Sequence, residues 1–329
     1  MPSQNSFYCR TCNVVLTHNQ GELFCPKCGS KFPLIENIPV FIEGLNIEQE
    51  KNKRYTEELF IADTKKHSVK IETGDYNKFP AQYFKLLAQN PGLKRMLDLG
   101  CGNGILALTI MQHENHIEEI YGLDISLNAL LNFRRNAAEN KIDKKITLLC
   151  AVAENMFLPD NYFDIVVCNK FIHHLPLRPL LKEIHRVLKP GGYFICFREP
   201  HRNYFTTYFR VGYYTLINLV SFVIQRFIRN KSYKGDLMYK IETKKYLYPR
   251  SYIEKALKNE GFGNSVFYLS KFLFPFTKML LYPFYLKFSG LRSYFSSIIK
   301  LVYKIDSYIA EKVIFRDLLQ EISFYSRKL

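Results

Sequence analysis

The chain contains no tryptophan, which argues against an indole belt anchoring it at a membrane interface. Long hydrophobic runs are missing as well. The most apolar segment, Tyr204 to Lys231, has an uncharged core of 15 residues, Val211 to Gln225, short of the ~20 needed to cross a bilayer. There is no internal repeat, so a solenoid is excluded, and no long low-complexity tract. The start, MPSQNSFYC, lacks the basic onset and apolar core of a secretory signal, and a cytoplasmic location is expected. Acidic residues are scarce in one place. Residues 201–329 hold 22 lysines and arginines against 8 acids, so +14 of the net +16 lies there, with 30 of the 50 aromatic residues. That excess marks the C-terminal third as the part facing a partner.

What is present is enough for a large core. The 329 residues, 47% hydrophobic, accommodate one large domain and a small module. Eight cysteines in a cytoplasmic chain read as thiols or metal ligands rather than disulfides. Four of them form two paired knuckles, Cys9-x2-Cys12 and Cys25-x2-Cys28, separated by twelve residues. Two such knuckles supply the tetrahedral sulfur set of a structural zinc, and four sulfur ligands leave no open position for catalysis. Asn19-Gln20-Gly21 supplies a turn between short strands, and Pro26 and Gly29 suit a tight knuckle. The expected module spans residues 1–44.

The nine residues Met96 to Gly104, MLDLGCGNG, join an apolar run to a turn stripped of side chains, and Ile105, Leu106, Leu108 and Ile110 then continue with helical spacing. A buried parallel strand feeding a helix through such a turn lets backbone approach a ligand, with free N–H groups behind it. The spacing is GxGxG; a dinucleotide fingerprint would need glycine where Ile105 stands. Twenty residues after Gly104, the short strand Ile120 to Leu123 ends in Asp124. A carboxylate there meets ribose hydroxyls in open α/β sheets, although Asp124 also reads as an N-cap for a helix from Leu127 to Asn140. Further strands are expected at Ile146 to Ala151, Phe163 to Cys168 and Tyr193 to Phe197, with a helix from Leu180 to Lys189 and a Pro190-Gly191-Gly192 turn. Later, a helix over Ser251 to Gly261 precedes strands at Ser265 to Leu269 and Glu321 to Ser326.

The loop MLDLGCGNG and the run LLKEIHRVLKPGGYFICF together resemble class I S-adenosylmethionine-dependent methyltransferases of the type 11 family, over roughly residues 94–200. The resemblance implies an α/β, Rossmann-like sheet of seven strands with helices on both faces, the last strand antiparallel. It also implies that residues 45–93 form a helical cap, and that residues 94–329 form the catalytic domain. Two basic, aromatic insertions then fall at about 201–245 and 271–318. The implied donor site comprises Asp98, Gly100, Cys101, Gly102, Gly104, Asp124, Ile125, Ala153, Glu154 and Asn169. Ile125 would lie against adenine; Val152 stands where the family often has an acid, so Ala153 and Glu154 take the adenine edge. The tail Phe32 to Glu43 is similar to the end of small zinc-ribbon proteins that partner tRNA and translation-factor methyltransferases, and similar ribbons are fused to bacterial rRNA guanine-N1 methyltransferases.

Transfer from a sulfonium needs alignment and, for many acceptors, a base. Candidates facing the donor are His173, His174, Glu199 and His201; the histidines can equally cap a turn or pack beneath the substrate. The Asn/Asp-Pro-Pro-aromatic motif for exocyclic amines is replaced by Asn169-Lys170-Phe171, and Cys168 and Cys196 read as small core residues rather than nucleophiles. The insertions suit a lipid interface or a lid over a greasy substrate, and also match an RNA-stacking surface or an ordinary core and dimer contact. The expected activity is methylation, at oxygen, of a hydrophobic, lipid-linked or saccharide small molecule near the inner face of a membrane. The alternatives are an RNA methyltransferase that uses the ribbon for recognition, and a non-catalytic scaffold.

Overall fold

The computed structural model describes residues 7–42, 44–64, 81–114, 116–142, 146–200, 246–270 and 321–329, together with five helical positions between 294 and 305. The expected insertions, and His201, fall outside those residues apart from these five positions.

The N-terminal thiols lie on a small meander. Strands β1 (Thr17–Asn19) and β2 (Glu22–Phe24) pair antiparallel. Gln20 and Gly21 join them with φ of +43° and +84°, the two left-handed positions a tight hairpin turn requires. Strands β3 (Lys31–Ile35) and β4 (Ile38–Phe41) follow, turned by Glu36 and Asn37. Strand β4 then joins, in parallel, the edge of β7 (Ile146–Ala151), placing Val40 opposite Cys150 and Phe41 opposite Ala151. The module expected to stand in front of the α/β domain is thus continuous with its sheet.

The main sheet is built from β5 (Arg95–Leu99), β6 (Glu119–Asp124), β7, β8 (Phe163–Asn169), β9 (Leu188–Pro200), β10 (Phe262–Ser270) and β11 (Glu321–Lys328). The complete order is β1-β2-β3-β4-β7-β6-β5-β8-β9-β11-β10. Strands β5 to β9 are parallel, and β11 runs antiparallel between β9 and β10. Progression from β5 runs one way through β6 to β7, then restarts on the other side at β8. The crevice at that reversal is where open α/β sheets bind ligands.

Helices α1 (Ile47–Thr64), α2 (Ala81–Ala88), α3 (Ile105–His113), α4 (Leu127–Glu139), α5 (Leu177–Val187) and α6 (Arg250–Asn259) surround the sheet. One core joins Tyr83, Phe84 and Leu87 of α2 to Ile110 of α3, Phe133 of α4 and Met96. The other joins Leu180, Leu181 and Ile184 of α5 and Leu257 of α6 to Phe7, Phe32 and Phe41 of the N-terminal meander. Phe41 stacks on Phe157 at 4.2 Å, with Phe32 edge-on to both rings at 5.0 Å.

Several expected boundaries move, most clearly around the Pro190-Gly191-Gly192 turn. The helix expected over Leu180 to Lys189 begins three residues earlier, because Pro179 sits in its first turn, where no intrahelical N–H is required. It ends at Val187 because Leu188 already pairs with Phe163. The Pro190-Gly191-Gly192 turn lies inside β9, at a register shift.

Candidate active site and thiolate cluster

The glycine loop between β5 and α3 needs its glycines twice over. Gly100, Gly102 and Gly104 take φ of +62°, +54° and +83°, a region that penalises any Cβ. A Cβ on Gly100 would also stand 2.2 Å from the ring of Phe171, and one on Gly104 2.1 Å from the ring of Phe133. Phe60 of α1 approaches Gly102 in the same way, at 3.1 Å. Cys101, buried in the loop, donates its N–H to Leu123 and so ties the loop to the end of β6.

Asp98 and Asp124 lie at the carboxyl ends of β5 and β6, both buried. Asp98 Oδ2 has no hydrogen-bond partner. Burial raises its pKa well above the ordinary carboxylate range, the charge of Asp124 adds to the rise, and the Ala107 N–H opposes it. Asp124 Oδ2 accepts from Gly102 N at 2.9 Å and Oδ1 from Ser126 N at 2.9 Å. Burial nonetheless pushes its pKa up to about 6, against those two N–H groups. The helix-capping role left open for Asp124 falls to Ser126, whose Oγ accepts from Ala129 N at 3.1 Å. Ile125 follows half-buried, its carbonyl accepting from Cys150 Sγ.

Glu154 Oε2 and Asn169 Oδ1 are likewise buried oxygens without a partner, at the ends of β7 and β8. Burial also raises Glu154 above its ordinary range. Ala153 is buried beside it. Three orphaned buried oxygens at one edge of a sheet are rare in a finished core and fit a ligand rich in amino and hydroxyl donors. The residues therefore fit S-adenosylmethionine: Asp98, Asp124, Ala153, Glu154 and Asn169 provide acceptors and bare backbone around the glycine loop.

Two of the base candidates meet. The short 3-10 turn Ile172–His174 after β8 places His173 Nδ1 2.8 Å from Glu199 Oε2 near the end of β9. Glu199 Oε1 accepts from the N–H of Phe171 and, at 3.0 Å, from that of Ile172. Glu199 is 1% exposed and wholly engaged in holding this turn. His174 packs on His173, ring centroids 4.0 Å apart.

Several contributors carry no sequence signal. Helix α1 crosses the carboxyl edge: Tyr246 donates to its Glu48, its Asn52 donates to the His174 carbonyl, and Glu57 accepts from Leu127 N at 2.9 Å. Glu57 also accepts from Asn128. It thus supplies the negative charge that the N-terminus of α4 favours, and holds α1 over the loop. Only a charge in a polar helix marks Glu57 in the sequence.

The four N-terminal cysteines converge, their sulfurs all within 4.8 Å of one another. Cys9 and Cys28 Sγ stand 3.7 Å apart. Four sulfurs about 2.3 Å from one tetrahedral zinc would be separated by about 3.8 Å, so the set fits zinc.

Residues 97–196 match the family model described as a methyltransferase domain. A demethylmenaquinone methyltransferase of Symbiobacterium thermophilum is 26% identical over 223 residues, covering 66% of this chain and 83% of that protein. The chain is an S-adenosylmethionine-dependent methyltransferase. The demethylmenaquinone methyltransferase of Geobacillus kaustophilus is 33% identical over 126 residues, 37% of this methyltransferase and 51% of its relative. Among solved structures, the geranyl diphosphate C-methyltransferase of Streptomyces coelicolor, in complex with S-adenosyl-L-homocysteine, superposes with a TM-score of 0.52 at 13% identity, covering 88% of this chain and all of that one. At that identity the likeness bears on the fold, and it matches the sheet expected from the sequence. Among the described residues, no helix of the methyltransferase is long and apolar enough to cross a membrane.

Proposed function

We propose that this methyltransferase acts on a hydroxyl-bearing hydrophobic small molecule, with His173 as the base. The observation that carries the reading is the buried His173–Glu199 pair at the carboxyl edge that also bears Asp98. Bound S-adenosylmethionine supplies an electrophilic methyl group on a sulfonium centre. Asp98 receives the ammonium of the donor, Asp124 its ribose hydroxyls, and Ala153, Glu154 and Ile125 its adenine; Asn169 faces the methionine half. Glu199, held by two backbone N–H groups, accepts from His173 Nδ1, which leaves Nε2 as the nitrogen that takes the acceptor's proton.

The acceptor's greasy character is supported by the aromatic composition of the C-terminal third, and the names of the relatives point to quinones of the menaquinone and ubiquinone kind. Methylation at oxygen is the first reading. Those names favour a second, in which the same deprotonation activates a ring carbon of a phenol or quinol. Zinc in the Cys9, Cys12, Cys25 and Cys28 cluster is structural, and attachment to the inner face of a membrane would be peripheral. Comparing the lipid extracts of a deletion strain and its parent by mass spectrometry tests the proposal. It predicts a hydrophobic metabolite lighter by one CH2, about 14 Da, with fragmentation placing the methyl on oxygen or carbon. An altered RNA nucleoside with unchanged lipids would overturn it.

A further inference from the structure

The first thiolate knuckle does more than complete a metal site. Arg10, between Cys9 and Cys12, reaches out of the ribbon: its Nε donates to Asn155 Oδ1 at 3.1 Å, and its Nη2 to Glu183 Oε1 of α5 at 2.8 Å. The other oxygen of Glu183 accepts from Met156 N at 2.8 Å. Arg186, one turn of α5 along, binds both oxygens of Glu183 and the carbonyls of Met156 and Leu158. Two residues before Arg10, Tyr8 donates its N–H to the Phe157 carbonyl at 3.0 Å. On the other side, β4 pairs with Cys150 and Ala151, the last two residues of β7. Residues 150–157 are therefore gripped at both ends by the ribbon, and the residues between the grips are Val152, Ala153 and Glu154.

We infer that the ribbon is a positioning element of the donor site: metal in the four-thiolate cluster sets the knuckle, the knuckle sets Arg10, and Arg10 sets the loop that presents Ala153 and Glu154. This rests on the adenine role proposed above for those two residues. The physical logic is preorganisation. A loop already ordered binds a flat ring without ordering cost, whereas a loop released from Arg10 and Tyr8 must be ordered by the ligand. Arg10 suits this because its planar guanidinium satisfies Asn155 and Glu183 together, which a lysine cannot.

Calorimetric titration of S-adenosylmethionine and S-adenosylhomocysteine into the full chain, with zinc measured on the same samples, tests the coupling. Arg10→Ala is expected to weaken both ligands about tenfold while retaining one zinc per chain. Arg10→Lys should fall between Arg10→Ala and the parent, because it restores the ion pair with Glu183 but not the bond to Asn155. Asn155→Ala leaves the ion pair intact and should weaken binding in the same direction, with no further loss in the double variant; it decides the matter if Arg10→Ala does not fold. Stripping the metal with a chelator should weaken binding at least as much as Arg10→Ala, and added zinc should restore it. Parental affinity in Arg10→Ala, Asn155→Ala or the metal-stripped protein, while Asp124→Ala loses binding, overturns the coupling alone. Parental affinity in Asp124→Ala overturns the donor site, and the coupling with it.

Discussion

The two edges of the parallel sheet use the same residue types for opposite ends. At the amino edge, Asp164 accepts from Lys94 N at 3.0 Å, Arg95 N at 2.8 Å and Lys189 Nζ at 2.6 Å, and Lys328 Nζ donates to Asn161, His185 and Leu188 oxygens. Both of these charges have partners supplied by the protein. At the carboxyl edge, Asp98 and Glu154 each keep a buried oxygen unpartnered, and the charge of Asp124 adds to the cost of ionising Asp98. Charges that the fold neutralises hold the fold together; the ones it leaves unneutralised are those to which a donor-binding role is proposed. Glu199 stands between the two cases, partnered by a histidine that can itself take a proton.

That contrast can be broken in graded steps. The largest expected effect is at the pair: His173→Ala should lower kcat by about 10²–10⁴-fold with the dissociation constant of S-adenosylmethionine unchanged. A parallel loss of donor binding would move His173 out of the base role. At the amino edge, Asp164→Ala strands two backbone N–H groups and should cost about 3 kcal/mol in urea unfolding while leaving donor affinity as it was. At the carboxyl edge the pattern inverts. Asp124→Ala should weaken donor binding about 100-fold, from losing charge-assisted bonds to a diol, with a smaller loss of stability than Asp164→Ala, because removing a buried charge offsets the stranded Gly102 and Ser126 N–H groups. If the two variants traded phenotypes, the comparison between edges would be wrong.

The smallest effect is a dependence on pH. Asp124 titrates at about 6 in the fold against an ordinary 3.8, so the native state binds its proton more tightly than the unfolded chain does. Stability from this group is therefore greatest at low pH and declines as pH rises from about 4 through about 6, and Asp124→Asn should flatten that decline. Donor binding needs the charged form, so affinity should rise about tenfold per unit of pH up to 6 and level off above it. Calorimetry at pH 6 in two buffers of different ionisation enthalpy should detect protons released on binding; identical heats would refute the assignment.

Much of the sheet was legible because buried parallel strands read as apolar runs. Ile146 to Ala151 was located to the residue, and Phe163 to Cys168 to within one. The antiparallel last strand was placed from Glu321 to Ser326 and runs to Lys328. The turn between β5 and α3 was legible because three closely spaced glycines after an apolar run mark a bend that admits no side chains. What stayed hidden depends on distant pairing. Strand β4 is four residues of unremarkable text, and its partner lies more than 100 positions away. Arg10 and Glu183 are separated by 173 positions, and no local period links a knuckle residue to a helix. Glu57 was invisible for a different reason: a single acid in a polar helix looks solvated until α4 is brought against it. Preferring His173 to Glu199 for the proposed base role needed the third dimension, since only there is Glu199 seen to accept from backbone N–H groups.

The parallel seam between β4 and β7 has one more consequence. In a sheet ending at β7, the outward N–H and C=O groups of that strand would be bare, on a strand whose sequence, ITLLCA, is wholly uncharged. Such an edge is a template for a second chain. By occupying it, residues 38–41 act as an edge guard, and the sheet then finishes at β1, a three-residue polar and exposed strand that offers little to a neighbour. Deleting the ribbon should therefore produce self-association before any change in substrate recognition can be read. Point variants in the ribbon are the informative experiments, and truncations the misleading ones.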